Sequence, residues 1–394
     1  MASRDRRRLL VNFVYCPPVG HVIEALHYCH GYHRASPEVT VAVALNARSP
    51  LELAGLCPFI EASYPVSLDV FDPQTPIDGL EAIPPGWEWV VDDARSRQQQ
   101  QRAVFPGIAA YYDCADERFA ASGAHIGAAG APPPAYSPAG EFRLAVPGPA
   151  RARACELLTA GGGSRRWPLI AVLPAGSGPR SNYPSLRSWK LLLSAFAARW
   201  ASAGFCLFGK LRADTRTSTS FPAAELDQLR ALPGVVDAVD WDLVGQLAVV
   251  AACDVLLSPH SGFAMAGLAV GTPWLAISGN RWPEYYFNGV PFYSVLPDIR
   301  RYPAFHQFGP DPEPVDDEGP RSPSMSYPRI AQDLEQILDG AARLIEGRWP
   351  FPTAMTDHVA RMLAIRGGRP ELLWSIDAVH ARYLPTTINT ATIR

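Results

Sequence analysis

The sequence predicts an α/β chain of two doubly wound domains facing across a cleft, and three observations lead there. Short apolar runs of strand length alternate with helix-length amphipathic segments, once near the N-terminus and again after residue 165. A passage rich in proline, glycine and alanine, 123–150, separates the two series. The length of 394 residues suits about two domains at roughly 150 residues each.

The first series opens with Leu9–Tyr15, an apolar run ending in the turn Cys16-Pro17-Pro18-Val19-Gly20. Val22, Leu26 and Cys29 then recur at i, i+4 and i+7, the spacing of a buried helical face. Val39–Leu45 is β-branched and flanked by Pro37 and Asn46, which reads as a strand, and Trp87–Val91 reads as another. Strand, helix, strand is a βαβ unit, so the sheet is parallel with a right-handed crossover. The second series runs through a helix at Ala150–Thr159, the flexible Gly161–Ser164 and a strand at Leu169–Leu173. Helices at Trp189–Ala203, Leu243–Ala252 and Phe263–Val270 lead to strands at Gly204–Phe208, Asp254–Ser258 and Trp274–Ser278. The segment 309–328 reads as a surface loop, and helix Ile330–Glu346 with tail helices around 355–383 closes the chain. The expected division is 1–160 for the first domain and 161–345 for the second. The tail, 346–394, is expected to pack back on the first domain.

Composition narrows the function classes. Hydrophobic residues make up 48% and charged residues 19%, which excludes a disordered chain. A net charge of −3, with no basic stretch beyond Arg4 and Arg6–Arg8, argues against nucleic acid as the main partner. The seven cysteines (Cys16, Cys29, Cys57, Cys114, Cys155, Cys206, Cys253) are odd in number and never spaced Cys-x-x-Cys, as expected of free thiols in a reducing compartment. The arginines ahead of Leu9–Tyr15 imitate a signal peptide, but the apolar run is short, contains Asn12 and lacks a small-residue cleavage site. No stretch approaches the roughly 20 apolar residues of a transmembrane segment, so the expected setting is cytoplasmic.

Ligands of open parallel sheets bind beyond the carboxyl ends of the strands. Three strand-to-helix turns therefore carry the candidate chemistry. At the first, Gly20 permits a tight turn and His21 stands at the start of a helix, where a neutral imidazole can take a proton from a hydroxyl. A half-exposed helix-start histidine without chemistry fits the same position. The second turn, Pro174-Ala175-Gly176-Ser177-Gly178-Pro179-Arg180, exposes backbone N–H groups, with Arg180 and Arg187 as partners for phosphate oxygens. It lacks the Lys-Ser/Thr ending of a nucleotide-triphosphate P-loop. The third, Ser258-Pro259-His260-Ser261-Gly262-Phe263, begins a helix of small residues. The N–H groups of Ser261, Gly262 and Phe263 suit a diphosphate, and Ala266, Gly267 and Ala269 let the helix lie near the sheet. A strand–helix turn with a capping serine is the plainer reading.

The run CDVLLSPHSGFAMAGLAVGTPWLAISG, Cys253–Gly279, resembles the donor-site segment of the heptosyltransferase-like glycosyltransferases of family 9. Ser261, Gly262, Gly271, Pro273 and Gly279 stand at the matching spacing. Upstream, Pro174–Arg180 with Arg187-Ser188-Trp189 resembles the family's Pro-Gly-Ala…Lys-x-Trp-Pro loop, with Arg187 where a phosphate-binding lysine is expected. Two positions depart: His260 stands in place of the usual aspartate and Met265 in place of a frequent histidine. Gly20-His21-Val22 looks instead like the Gly-His of the larger family that glycosylates natural products. In either comparison His21 falls on the base position. The resemblance covers about 165–280 plus this N-terminal patch.

It implies the GT-B fold, two Rossmann-like domains, and an inverting, metal-independent glycosyltransferase. A nucleotide diphosphate sugar would be the co-substrate, no further cofactor is implied, and the acceptor would be a small molecule or glycan. His21 would deprotonate the acceptor, while Gly20, Gly176, Ser177, Arg187, His260, Ser261, Gly262 and Phe263 would surround the donor. A sugar-nucleotide epimerase or hydrolase of the same fold, or an inactive sugar-nucleotide-binding protein, are the alternatives. The Ala/Pro/Arg-rich composition points to a bacterium and to natural-product synthesis, and the resemblance implies cell-envelope glycan synthesis as the other setting.

Other features have plainer readings. His27, His30 and His33 fall at i, i+3 and i+6, but no acid is evident to orient them and Gly31 is expected to end the helix before His33, so packing rather than metal ligation is expected. Asp237, Asp240 and Asp242 around Trp241 suit a ribose contact or a solvated loop; Asp240-Trp241-Asp242 has the letters of a metal motif but not its place. Gln98–Gln101 reads as exposed, and the aromatic cluster Trp282–Asn288 as a donor cover, an acceptor grip or core.

Overall fold

A computed structural model describes residues 7–15, 17–93, 98–119, 135–138, 140–159, 166–212, 218–279, 288–304, 311–316 and 318–386. Cys16, most of the Pro/Gly passage, Gly161–Ser164 and Trp282–Phe287 lie outside them. The chain divides into two compact units, 1–145 and 146–394.

The first unit is built on a four-stranded parallel sheet. Its elements are β1 (Arg8–Phe13), α1 (Val19–Ala35), β2 (Thr40–Asn46), β3 (Ile60–Val66), β4 (Trp89–Asp92), α2 (Gln99–Val104) and α3 (Pro106–Phe119). The strand order is β3-β2-β1-β4, with Leu9 opposite Val41 and Trp89 on its two sides. The predicted periodicity holds in α1, where Val22, Leu26 and Cys29 are buried. Leu10, Ala42, Ala44 and Val90 share a core with Ile108, Tyr111 and Tyr112 of α3. Gly31 does not end α1 but lies buried inside it. A Cβ there would fall 2.3 Å from Tyr136 Cε2, so glycine admits the chain that returns from the Pro/Gly passage.

That passage also departs from expectation at Phe142, which is fully buried against His27, His30 and Phe59. The three histidines are thus packed among rings. Burial first, then the neighbouring His27, His33 and Arg34, pushes His30 down to about 4. Among the described residues no group of three or more His, Cys, Asp or Glu is placed to hold a metal ion.

The second unit comprises α4 (Gly148–Thr159), β5 (Leu169–Val172), α5 (Leu186–Arg199), β6 (Gly204–Leu207), α6 (Ala223–Arg230) and β7 (Val235–Asp237). It continues through α7 (Leu243–Ala251), β8 (Val255–Pro259), α8 (Gly262–Ala269), β9 (Trp274–Ile277) and β10 (Phe292–Val295), then α9 (Tyr327–Gln332), α10 (Leu334–Ile345) and α11 (Phe351–Ile365). All six strands are parallel, in the order β10-β9-β8-β5-β6-β7. Numbered within the unit this is the doubly wound 3-2-1-4-5-6 order of a Rossmann sheet. Alternation splits the strand side chains between two cores. Ile170, Val172, Val255, Leu257 and Ile277 meet Trp189, Phe196 and Ile337 on one face. Ala171, Cys206, Leu256 and Trp274 meet Ala154, Val249, Leu268 and Met355 on the other.

These cores explain two differences from the expected division. Helix α4 buries Ala154 in the second unit's core, so the boundary falls ahead of residue 160. The tail, expected on the first domain, buries Ala354, Met355, Val359, Met362 and Leu363 of α11 beside Trp274 and Phe292. The single helix expected at 330–346 is two, α9 and α10, meeting at Asp333. The six cysteines among the described residues are free. No described helix is long and apolar enough to cross a membrane.

Candidate functional site

In the second sheet the strand order reverses between β5 and β8, and that is where a doubly wound sheet opens a crevice at its carboxyl edge. The two turns singled out in the sequence leave from these adjacent strands. They meet: a Cβ built on Gly176 would lie 3.5 Å from the Ser261 Cβ and 3.1 Å from the Tyr183 hydroxyl. The first turn closes over that hydroxyl, which accepts a hydrogen bond from Gly178 N–H at 3.1 Å. A Cβ at Gly178 would sit 2.8 Å from the same oxygen, so a side chain there would displace the hydroxyl. From the β6 side, Thr219 Oγ1 donates to the Ala175 carbonyl at 3.0 Å and Ser220 N–H to that of Gly176 at 2.9 Å.

At the second turn Ser261 caps α8, its Oγ accepting from Ala264 N–H at 3.2 Å. Its hydroxyl is thereby engaged in the cap, while the N–H groups of Gly262 and Phe263 lie ahead of the first intrahelical bond. The Phe263 ring packs on Phe208, centroids 5.7 Å apart, leaving the backbone as this residue's polar contribution. His260 is half-buried with its ring 5.9 Å from Trp274, whose Nε1 donates to Ser258 Oγ at 2.9 Å. Gly267 brings α8 down on β8, since a Cβ there would come within 2.7 Å of Leu256 Cδ2.

Ser177 is exposed at the tip of the first loop. Arg187 stands in the first turn of α5, which Ser185 caps through Ser188 N–H. Its guanidinium lies over the Tyr327 ring at 3.7 Å, and its N–H donates to Glu318 Oε2 at 2.8 Å. A carboxylate thus complements the positive end of α5. Arg180 is paired with Glu225. Sequence reasoning missed Arg321, a guanidinium 1% exposed that donates to the carbonyls of Tyr183 and Arg180 and so anchors the far end of the loop. The acids near Trp241 are used locally. Asp240, at φ 63°, accepts from the N–H groups of Leu211 and Arg212, Asp242 caps α7, and Asp237 pairs with Arg230.

In the first unit the reversal falls between β1 and β4. Gly20 lies buried within the first turn of α1 rather than in the loop, and His21 follows it, donating its N–H to the Pro18 carbonyl at 3.0 Å. The imidazole is 31% exposed, and its Nδ1 lies 3.3 Å from Oε2 of Glu24, a buried carboxylate one helical turn on. The Tyr15 ring meets the imidazole edge-on at 5.0 Å. Beneath this turn, Asn12 Nδ2 donates to Asp92 Oδ1 at 2.9 Å, and the hydroxyls of Tyr111 and Tyr112 donate to Asn12 Oδ1 at 2.6 Å and its carbonyl at 3.1 Å. This network ties β1 to β4 at the carboxyl edge, and burial pushes the Tyr111 phenol up. Glu24 was legible as a His-x-x-Glu spacing on one helix face, had an acid been sought among apolar positions.

No protein-family model and no curated protein sequence matches the chain. Solved structures do. A family 9 glycosyltransferase from Veillonella parvula is 13% identical, covering 87% of this chain and 98% of its own, with a TM-score of 0.56. The E. coli ADP-heptose lipopolysaccharide heptosyltransferase II is 14% identical over 87% and 99%, at 0.52. The E. coli heptosyltransferase WaaC with ADP is 13% identical over 85% and 99%, at 0.50. The likeness at these identities is one of fold. The chain has the GT-B fold of these glycosyltransferases, with two Rossmann-like domains.

Proposed function

We propose that the chain is an inverting, metal-independent glycosyltransferase that moves a sugar from a nucleotide diphosphate sugar to an acceptor hydroxyl. The observation that carries the reading is the meeting of the Gly176 and Ser261 turns at the reversal of a Rossmann sheet. The solved structures of similar fold, one of them with ADP, favour an adenine nucleotide as the first donor to try. In this reading Gly262 and Phe263 N–H groups receive the diphosphate, Arg187 adds a guanidinium, and His260 and Ser177 border the nucleotide or sugar.

His21 is the base. Glu24 beside Nδ1 holds the tautomer whose proton is on that nitrogen, leaving Nε2 to take the acceptor proton. The acceptor oxygen bonds to the anomeric carbon as the bond from that carbon to the diphosphate oxygen breaks on the opposite face. The departing charge falls on the N–H groups and the guanidinium, the work a metal does elsewhere. A cytoplasmic bacterial setting is part of the same proposal, resting on composition.

The experiment is a calorimetric screen of ADP-, GDP-, UDP- and dTDP-sugars, followed by His21→Ala and Glu24→Gln in a transfer assay. His21→Ala is expected to lower turnover by about 100-fold or more with donor affinity unchanged, and Glu24→Gln to lower it less. Unaltered turnover in His21→Ala removes the base assignment. Sugar release at the same rate with and without acceptor makes the protein a hydrolase.

A further inference from the structure

The rings beside His21 continue outward. Tyr15 touches the His21 ring at 5.0 Å and Phe105 at 5.7 Å, and Phe105 in turn touches Phe71 at 5.5 Å. The inner end of this ladder is the partly open imidazole. Its outer end is Phe71, 65% exposed, with Val104 39% exposed beside Phe105 in the chain. Single exposed apolar side chains need no explanation, but a file of rings running from a candidate base to the surface does.

Phe71 is not exposed through looseness. Asp69 Oδ1 accepts from the N–H groups of Phe71 at 2.9 Å and Asp72 at 3.3 Å, fixing the turn that carries the ring. The same turn rests on the start of α3. Gly107 N–H donates to the Val70 carbonyl at 3.1 Å, and a Cβ on Gly107 would fall 1.8 Å from the Asp69 carbonyl oxygen. Among the described residues, Glu24 is paired with His21, and Arg102 with Asp113 at 2.8 Å. Gln101, accepting from the Tyr15 hydroxyl at 3.3 Å, contributes a neutral polar group.

From this we infer that the ladder is the acceptor platform, and that the acceptor bears its hydroxyl on a flat apolar or aromatic body. The inference rests on the reading of His21 as the base and adds the substrate class. Rings stack on such a body offset or edge-on, an attraction that a phosphorylated sugar without a ring substituent does not share.

The test is ligand-observed NMR titration of the full chain with 4-nitrophenyl β-glucoside, methyl β-glucoside and glucose 6-phosphate. The aromatic glycoside is expected to bind about three- to tenfold more tightly than the methyl glycoside. Phe71→Ala, a surface change that leaves the fold intact, erases the difference, and Phe71→Tyr restores it. Equal binding of the two neutral glycosides, a difference that survives Phe71→Ala, or preference for the phosphate overturns the inference. A failed preference in a protein that still glycosylates methyl glucoside removes the platform alone. The preference in a protein that transfers sugar from no donor removes the acceptor role and the transferase reading together.

Discussion

Lowering the pH from 7 to 5 is expected to cost the second domain about 2 kcal/mol through one side chain, His358. This residue of α11 is 5% exposed, its ring edge-on to Phe292 at 5.6 Å. Burial first, and Arg361 one turn on second, push its imidazole down to about 3. Arg361 is itself held by Asp357 and the Ser294 carbonyl, so it stays where it opposes protonation. In the unfolded chain the same group titrates near the histidine reference of about 6.5, so below that pH the unfolded state binds a proton the native state refuses. The contribution is therefore complete above about pH 7 and is lost as pH falls through 6.5 toward 3. Urea denaturation of the wild type and His358→Leu at both pH values isolates it, because packing changes cancel within each protein and His30 and His380, both shifted down, titrate in each. The wild type should lose about 2 kcal/mol more than the variant between pH 7 and 5. An equal loss in the two proteins refutes the argument. Because α11 supports Trp274 beneath the β8–α8 turn, donor binding measured near pH 5 includes this folding term.

Two further expectations concern the donor side. Gly262→Val places a branched side chain at the opening of α8 and should weaken nucleotide-sugar binding by about tenfold or more in calorimetry, a shift of roughly 1.4 kcal/mol; wild-type affinity would detach the diphosphate from that turn. Arg321→Leu leaves the carbonyls of Tyr183 and Arg180 without their buried donor, so stability should fall by about 1–3 kcal/mol and donor affinity with it. A stability loss at unchanged affinity would mean the loop is anchored for folding alone.

What could be read in the chain follows from how each element is stabilised. Strands buried on both faces announce themselves as apolar runs, so β1, β2, β5, β8 and β9 were legible. Of the edge strands, β4 was read at Trp87–Val91, but β3 and β7 were not. β3 is IEASYPV, half-exposed with a register shift against β2, and β7 is three residues long. The two central turns of the second domain were legible because glycine and a capping serine carry a backbone requirement in their identity. Arg321 was not, since its acceptors are main-chain carbonyls that leave no trace in residue spacing. Asn12 looked like an interruption of an apolar run and is instead the hub that joins Asp92 and Tyr111.

The pairing of β5 with β8 also bears on how such a chain diversifies. Val172 stands opposite Leu257, so the two loops depart from a frame of main-chain bonds that no side-chain replacement disturbs. Their spacing is inherited from the ladder and their chemistry from the residues beyond it. New donor preferences can therefore arise by exchanging a handful of loop residues as interchangeable fittings, without renegotiating the sheet that holds them.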